Sequence, residues 1–288
     1  MTEQITAVRN FAATADWQKM WTQLRVIASM EYRRNVFTKR GLWIYFLAFA
    51  PVVIIAVHAL DTWGKCNAGM GEDTKILAGI IMYFYVRLGI FFGCLGLFTW
   101  LFRGEIVQKS LHYYFLAPVR REVLVLGKFA AGVATAVTLF GAGVLLSYVF
   151  MYGHFGMAGQ NFTFDGPGLG HLRNYLLITV LACAGYGSIF LAMSLVFKNP
   201  IIPGTIVFLW ETINGVFPPL VQKASITFYL KNLAPVELPT EGILALFTVV
   251  AEPVPMWLAI PGLGLVVAAM LAFACWRIHS LEISYSAE

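Results

Sequence analysis

Residues 103–128 read RGEIVQKSLHYYFLAPVRREVLVLGK. An apolar run, Leu77–Phe102, precedes this stretch, and another, Phe129–Tyr152, follows it. Between them sit five Lys or Arg, two acids, one histidine and one proline. A plain connector between two hydrophobic spans needs only a few polar residues. This one is basic, long and apolar at helical spacing, so it is read as a structured element at a membrane surface.

Composition supports that frame. Only 12% of the 288 residues are charged and 59% are hydrophobic. Soluble domains carry about 25% charged residues. The mean hydropathy is +0.74. Six spans are predicted, over Leu42–Leu60, Leu77–Phe102, Phe129–Tyr152, Tyr175–Phe197, Ile201–Phe217 and Pro255–Trp276. They should be helices, because lipid offers no partner for an unpaired backbone group. The predicted fold is all-α and polytopic, with residues 1–288 as one transmembrane domain. The first apolar run begins near Leu42, which is too late for a cleavable signal peptide.

Orientation follows the cations. The N-terminus, residues 103–128, Lys198 and the C-terminus carry 14 Lys or Arg. The opposite flanks carry five, Lys65, Lys75, Arg173, Lys223 and Lys231, while the acids divide evenly. By the positive-inside rule both termini and the opening stretch are cytoplasmic. The basic balance therefore reflects lipid flanks; no basic surface interleaved with aromatics points to nucleic acid. Of the cysteines, Cys94, Cys183 and Cys275 fall in spans and only Cys66 in a polar loop, so no disulfide or metal site is expected.

Before the first span, residues 16–41 place Trp17, Met20, Trp21, Leu24, Ile27 and Ala28 on one helical face. That pattern predicts an interfacial helix on the inner leaflet, with Lys19, Arg25 and Arg33 pointing elsewhere. Glu31 drifts onto the apolar edge and needs a partner. Residues 218–254 are semi-apolar and broken by Pro218, Pro219, Pro235, Pro239 and Pro253. They are read as short outer helices that dip into the membrane and return.

Within the opening stretch, Gly104 to Ala117 is predicted as one short helix. Ile106, Val107, Ser110, Leu111, Tyr114 and Ala117 share an arc, and Pro118 ends it. Phe115 and Leu116 lie off that arc, so the helix has apolar surface for its own domain and for a partner.

The pattern Gly104-Glu105, Ser110-Leu111, Leu116 with Pro118-Val119-Arg120, and Gly127-Lys128 resembles the export-type (type-2) ABC transporter permeases. The basic stretch 31–40, the span layout and the broken outer segment are also similar. The resemblance implies that residues 103–128 form a cytoplasmic coupling segment docking a separate ATPase subunit. Glu105, Lys109, Leu111, Tyr114, Pro118, Arg120 and Arg121 would carry that contact. It further implies a dimer with a second copy or a related permease, a bacterial inner (cytoplasmic) membrane, and ATP with Mg on the partner. This chain has no Walker A loop: Gly127-Lys128 is followed by Phe129, and Glu122 stands where the first glycine belongs. It is expected to be a transporter subunit, with no catalytic residue, cofactor or metal of its own.

Two ionisable residues fall inside spans, Arg87 in the second and Glu211 in the fifth. Such residues face protein or water. They could line a pathway and pair in one state, they could form a permanent helix–helix salt bridge, or Arg87 could snorkel. Gly89 with Gly93, and Gly132 with Ala136, allow close helix approach and are read as bundle packing. His58 is read as interfacial, and the other histidines look scattered. Asn161-Phe162-Thr163 is a glycosylation sequon in an outer loop. Two other functions remain open: force transmission to an extracytoplasmic accessory protein, and a channel or secondary transporter needing no ATPase. The substrate is not legible in the sequence.

Overall fold

The computed structural model describes residues 2–37, 41–62, 69–116, 118–236 and 255–280. It is helical throughout, with no strand among the described residues. The elements are α1 (Thr2–Phe37), α2 (Leu42–Thr62), α3 (Met70–Val107), α4 (Leu111–Leu116), α5 (Arg121–Gly153), α6 (Met157–Phe164), α7 (Gly168–Val196), α8 (Ile201–Ile213), α9 (Pro219–Gln222), α10 (Ile226–Lys231) and α11 (Met256–His279). Five of these, α2, α3, α5, α7 and α11, are long and apolar enough to cross a membrane. Cys66 and residues 237–254 of the outer segment lie outside the described residues.

The fifth predicted span, Ile201–Phe217, is the shortest and only marginally long enough to cross, and the helix found there matches it to within one residue. With its closing 3-10 turn, Asn214–Val216, α8 runs over residues 201–216. Sixteen residues rise about 24 Å, less than a hydrocarbon core of about 30 Å. Pro218 and Pro219 then stop the helix, and α9 and α10 follow as short pieces, as the broken composition predicts.

The central helix is α5, packed on α1, α2, α7 and α11. Aromatic side chains of α3 fill the seams. Phe98 inserts between Gly132 of α5 and Gly187 of α7, where any Cβ would collide with its ring. Phe140 of α5 lies on Gly93 of α3 in the same way. These glycines are thus used inside this chain. Phe91 meets Tyr186, Phe190 and Phe208 edge to face, with centroids 5.1, 5.0 and 5.2 Å away, which joins α3 to α7 and α8. The Tyr85 hydroxyl donates to the Ala48 carbonyl at 2.9 Å and lies 3.1 Å from Ser147 Oγ, tying α2, α3 and α5.

Two parts of α3 are π-helical, Ile80–Ile90 and Trp100–Gly104. Such wide turns are rare and concentrate at functional positions. The first carries Arg87, and the second ends beside Glu105.

Among the described side chains of α1, those of residues 17–37, Ile27 and Glu31 are buried and Met20 and Leu24 are half-buried above them. Gly127 of α5 makes room for Ile27, since a Cβ there would sit 2.9 Å from its Cγ2. Trp17 and Trp21 are exposed beside this packed stripe.

Candidate functional site

At the end of the bundle where the cations gather, four charged side chains meet in the interior. Lys128 of α5 is fully buried, with Nζ 2.7 Å from Glu31 Oε1 and 2.7 Å from Glu105 Oε1. Arg34 closes the ring, with Nη1 3.0 Å from Glu105 Oε1 and Nη2 2.9 Å from Glu31 Oε2. Glu31 and Glu105 are 0% and 1% exposed. Two cations thus balance two anions in a site where an unpaired charge would be costly. The Tyr114 hydroxyl donates to Glu31 Oε1 at 3.2 Å, and the Lys128 ammonium lies 4.9 Å from the Tyr114 ring centroid. Burial works against the Arg34 charge, but the Glu31 and Glu105 carboxylates outweigh it and raise its pKa. Burial and the same carboxylates push the Tyr114 hydroxyl up, so it stays a neutral donor.

This network joins α1, α3, α4 and α5 at one point. Glu31 acquires the partner its position required. Arg34 and Lys128 were not among the predicted site residues. The available signal was a lysine inside an apolar face of α5, with two unexplained acids on neighbouring elements.

The predicted helix over 104–117 is broken. The last turn of α3 ends at Val107, and Lys109 adopts a left-handed conformation, φ 57°. Ser110 N donates to Glu105 O at 2.9 Å and Lys109 N to Ile106 O at 3.1 Å. These two bonds form the Schellman C-cap, with lysine where glycine is usual. The chain turns there and restarts as α4.

Four side-chain contacts fix α4 and its exit. Gln23 Nε2 donates to the Pro118 carbonyl at 3.0 Å. The Arg121 guanidinium stacks on Phe115 at 4.5 Å and donates to the carbonyls of Ile278 and His279 at 3.2 and 3.0 Å. It thus caps the C-terminus of α11. The predicted contact residues therefore divide in two. Glu105 and Leu111 are buried, Tyr114 is half-buried, and Arg121 holds the chain's own backbone. Lys109, Pro118 and Arg120 are exposed. Beside them Val107, Tyr113 and Leu116 are 72%, 68% and 79% exposed, an apolar patch on a firmly tied base.

Arg87 and Glu211 meet at one junction, but not as a side-chain ion pair. The Arg87 guanidinium donates to the backbone carbonyls of Glu211 and Thr212, at 3.4 and 3.3 Å. It thus holds the C-terminal end of α8. The buried Glu211 carboxylate accepts from Ser225 Oγ at 2.7 Å, Ile226 N at 3.0 Å, Thr227 N at 2.9 Å and Tyr186 Oη at 3.4 Å. It is the anion at the N-terminus of α10. Backbone groups, invisible to residue-type reasoning, supply partners for both charges.

At the opposite end, the histidines that look scattered in sequence are partly gathered. Asp73, 1% exposed, lies with Oδ1 3.7 Å from His58 Nε2 and Oδ2 3.4 Å from His154 Nε2. These three side chains lie together where the far ends of α2, α3 and α5 meet. No group of three ligands able to hold a metal occurs among the described residues.

The family model described as ABC-2 family transporter protein matches residues 38–214, more than half of the chain. That region spans α2 through α8 and includes Arg87, Glu105, Lys128 and Glu211; Glu31 and Arg34 precede it. No curated protein matches the chain.

Proposed function

The chain belongs to the ABC-2 family of transporter proteins, and we propose that it is the permease subunit of an ATP-driven exporter whose ATPase is a separate polypeptide. It is a multi-pass membrane protein and a component of an ABC transporter. The finer reading places the basic end in the bacterial cytoplasm, with both termini there, and the transport pathway in a dimer with a second copy or a related permease. ATP and Mg belong to the partner subunit.

The observation that carries this reading is the apolar patch of Val107, Tyr113 and Leu116. Tyr113 and Leu116 lie on α4, outside the five long apolar helices, and Val107 ends α3; exposed Lys109 and Arg120 flank α4 in sequence. Burial of such side chains stabilises a complex by about 25 cal/mol per Å² of apolar surface. A groove on an ATPase subunit is the proposed cover. Glu105, Leu111 and Arg121 position this surface from beneath instead of touching the partner.

Mechanism follows from the ties. A push on α4 passes through Tyr114 to Glu31, through Arg121 to the end of α11, and through Glu105 and Lys128 into α3 and α5. Along α3 it reaches Arg87, and through the α8 carbonyls and Glu211 it reaches α10. In this reading α10 and its neighbours at 218–254 gate release on the outer side.

The test is purification of the tagged chain from its native membrane in mild detergent, with identification of its companions. A Walker-containing ATPase that co-purifies with wild type and is lost with Tyr113→Asp plus Leu116→Asp supports the reading. Retention of the ATPase by the double variant refutes this docking site, and absence of any ATPase even after crosslinking refutes the subunit assignment.

A further inference from the structure

A cavity of about 950 Å³ opens on the flank of the bundle at its basic end. Its floor is α3, through Phe92, Leu95, Gly96, Thr99 and Trp100. One wall is the start of α2, through Trp43, Ile44, Phe46 and Leu47, and the other is the start of α8, through Ile201 and Thr205. The walls are set by two glycine contacts. Trp43 lies on Gly96, where a Cβ would collide with the indole, and Leu95 lies on Gly204, where a Cβ would sit 2.8 Å from its Cδ1. The buried residues of α8 are Gly204 and Glu211, so this wall is held at few points.

The rim at the basic end is polar. Arg34, Asn35 and Gln108 line it, and no carboxylate does. Asn35 Nδ2 is a buried donor with no hydrogen-bond partner. Leaving such a donor unpaired costs about 1–3 kcal/mol, and a ligand acceptor would relieve it. Arg34 presents 39% of its side chain at this rim while its guanidinium holds Glu31 and Glu105. The lining therefore runs from donors at the surface to aromatic and aliphatic groups deeper in, over a volume within the range of small-molecule sites.

We infer that this cavity takes a bilayer-partitioned amphiphile with an anionic head, the head meeting Arg34 and Asn35 and the apolar body lying between Trp43, Phe46, Phe92 and Trp100. The inference rests on the exporter reading for its meaning, because such a ligand would be the transported substrate. It also gives Arg34 a second task. An anionic head competes with Glu105 for the guanidinium, so occupancy of the cavity loosens the network that holds the coupling segment. A filled site is thereby reported to the ATPase side through one side chain.

The test uses the full chain in nanodiscs of zwitterionic phosphatidylcholine, without an ATPase. The probes are a diazirine-bearing sixteen-carbon fatty acid and its uncharged methyl ester. The acid should label Trp43–Leu47 and Phe92–Trp100 about tenfold more than the ester, the discrimination expected of a charge-assisted hydrogen bond. Arg34→Gln and Asn35→Leu should each lower acid labelling toward the ester level. Asn35→Leu keeps the inference testable if Arg34→Gln fails to fold. Thr205→Trp, which fills the space between the walls, should suppress labelling by both probes. Equal labelling by acid and ester overturns the inference, as does labelling confined to Val53, Ile54 and Val57 on the exposed face of α2. Quantitative disulfide formation between two copies of Phe46→Cys also overturns it, because a second chain then fills the groove. The readout needs no ATPase, so failure here and failure of the exporter assignment are separate results.

Discussion

Replacing Lys128 with methionine probes the buried network most sharply. The side chain keeps its length and loses its charge. Wild type holds two cations and two anions among Lys128, Arg34, Glu31 and Glu105, with both Lys128 contacts at 2.7 Å and both carboxylates at most 1% exposed. In Lys128→Met one guanidinium must serve two buried carboxylates, which leaves one net negative charge uncompensated. Removing one member of a buried ion pair costs about 3–5 kcal/mol. Glu105→Gln alone should cost a similar amount, since it leaves an excess cation. The double variant is neutral again, with Glu31 and Arg34 still paired at 2.9 Å. It should therefore be more stable than the sum of the singles by at least about 2 kcal/mol, well beyond the additivity of independent sites. Reversible unfolding in mixed micelles, followed by circular dichroism, measures all four corners of the cycle. A Lys128→Met cost under about 1 kcal/mol, or additivity within about 0.5 kcal/mol, would refute the reasoning.

Other outcomes follow from the same contacts. Swapping Arg87→Glu together with Glu211→Arg should fail to restore transport, because each side chain serves backbone groups of fixed sign; full recovery in a transport assay would show that a simple ion pair suffices. Glu211→Gln keeps one oxygen acceptor but sets an amide donor against either the Ile226 or the Thr227 N–H group, and it loses a charge-assisted acceptor; the cost should be about 1.5–3 kcal/mol, with faster hydrogen exchange at the amide left without an acceptor. Lys109→Gly should raise stability by up to about 1 kcal/mol, as the left-handed conformation costs an L-residue about 1–2 kcal/mol, part of which glycine returns as chain entropy; Lys109→Val should lower it, and melting temperatures check both signs. Gly132→Val drives a branched side chain into the Phe98 ring and should cost about 1–3 kcal/mol, read as lower yield and lower thermal stability.

Composition and apolar run length made the membrane class and helical fold legible, because lipid permits few solutions for a bare backbone. Run length located α8 to within one residue, because Pro218 and Pro219 set the stop; that its polar end at Asn214 tightens into a 3-10 turn was not legible. The arc from Ile106 to Ala117 suggested one helix, but periodicity does not reveal a lysine entering the left-handed region at 109. Glu31 was visible as a misplaced charge. Arg34 stands three residues on, at a helical neighbour's spacing, but the second partner, Lys128, lies 97 positions away and only the packing of α1 on α5 brings it close. Arg87 and Glu211 stood out as costly intramembrane charges. The carbonyls that hold Arg87 and two of the donors to Glu211 are backbone groups, which carry no residue-type signature. His58, Asp73 and His154 show the same limit: three unremarkable residues at three helix ends become neighbours only through the packing of α2, α3 and α5.

An ATPase subunit docked on α4 and its flanks lies within reach of a photo-crosslinker placed on that surface. The most direct measurement places a benzophenone amino acid at Tyr113, at Leu116 and, as a lipid-facing control, at Val57, and irradiates cells that express the chain with its native neighbours. Docking at α4 gives a crosslink from 113 and 116 to one polypeptide bearing a Walker A loop, and none from 57. Equal crosslinking from all three positions, or none to an ATPase from 113 and 116, would contradict it.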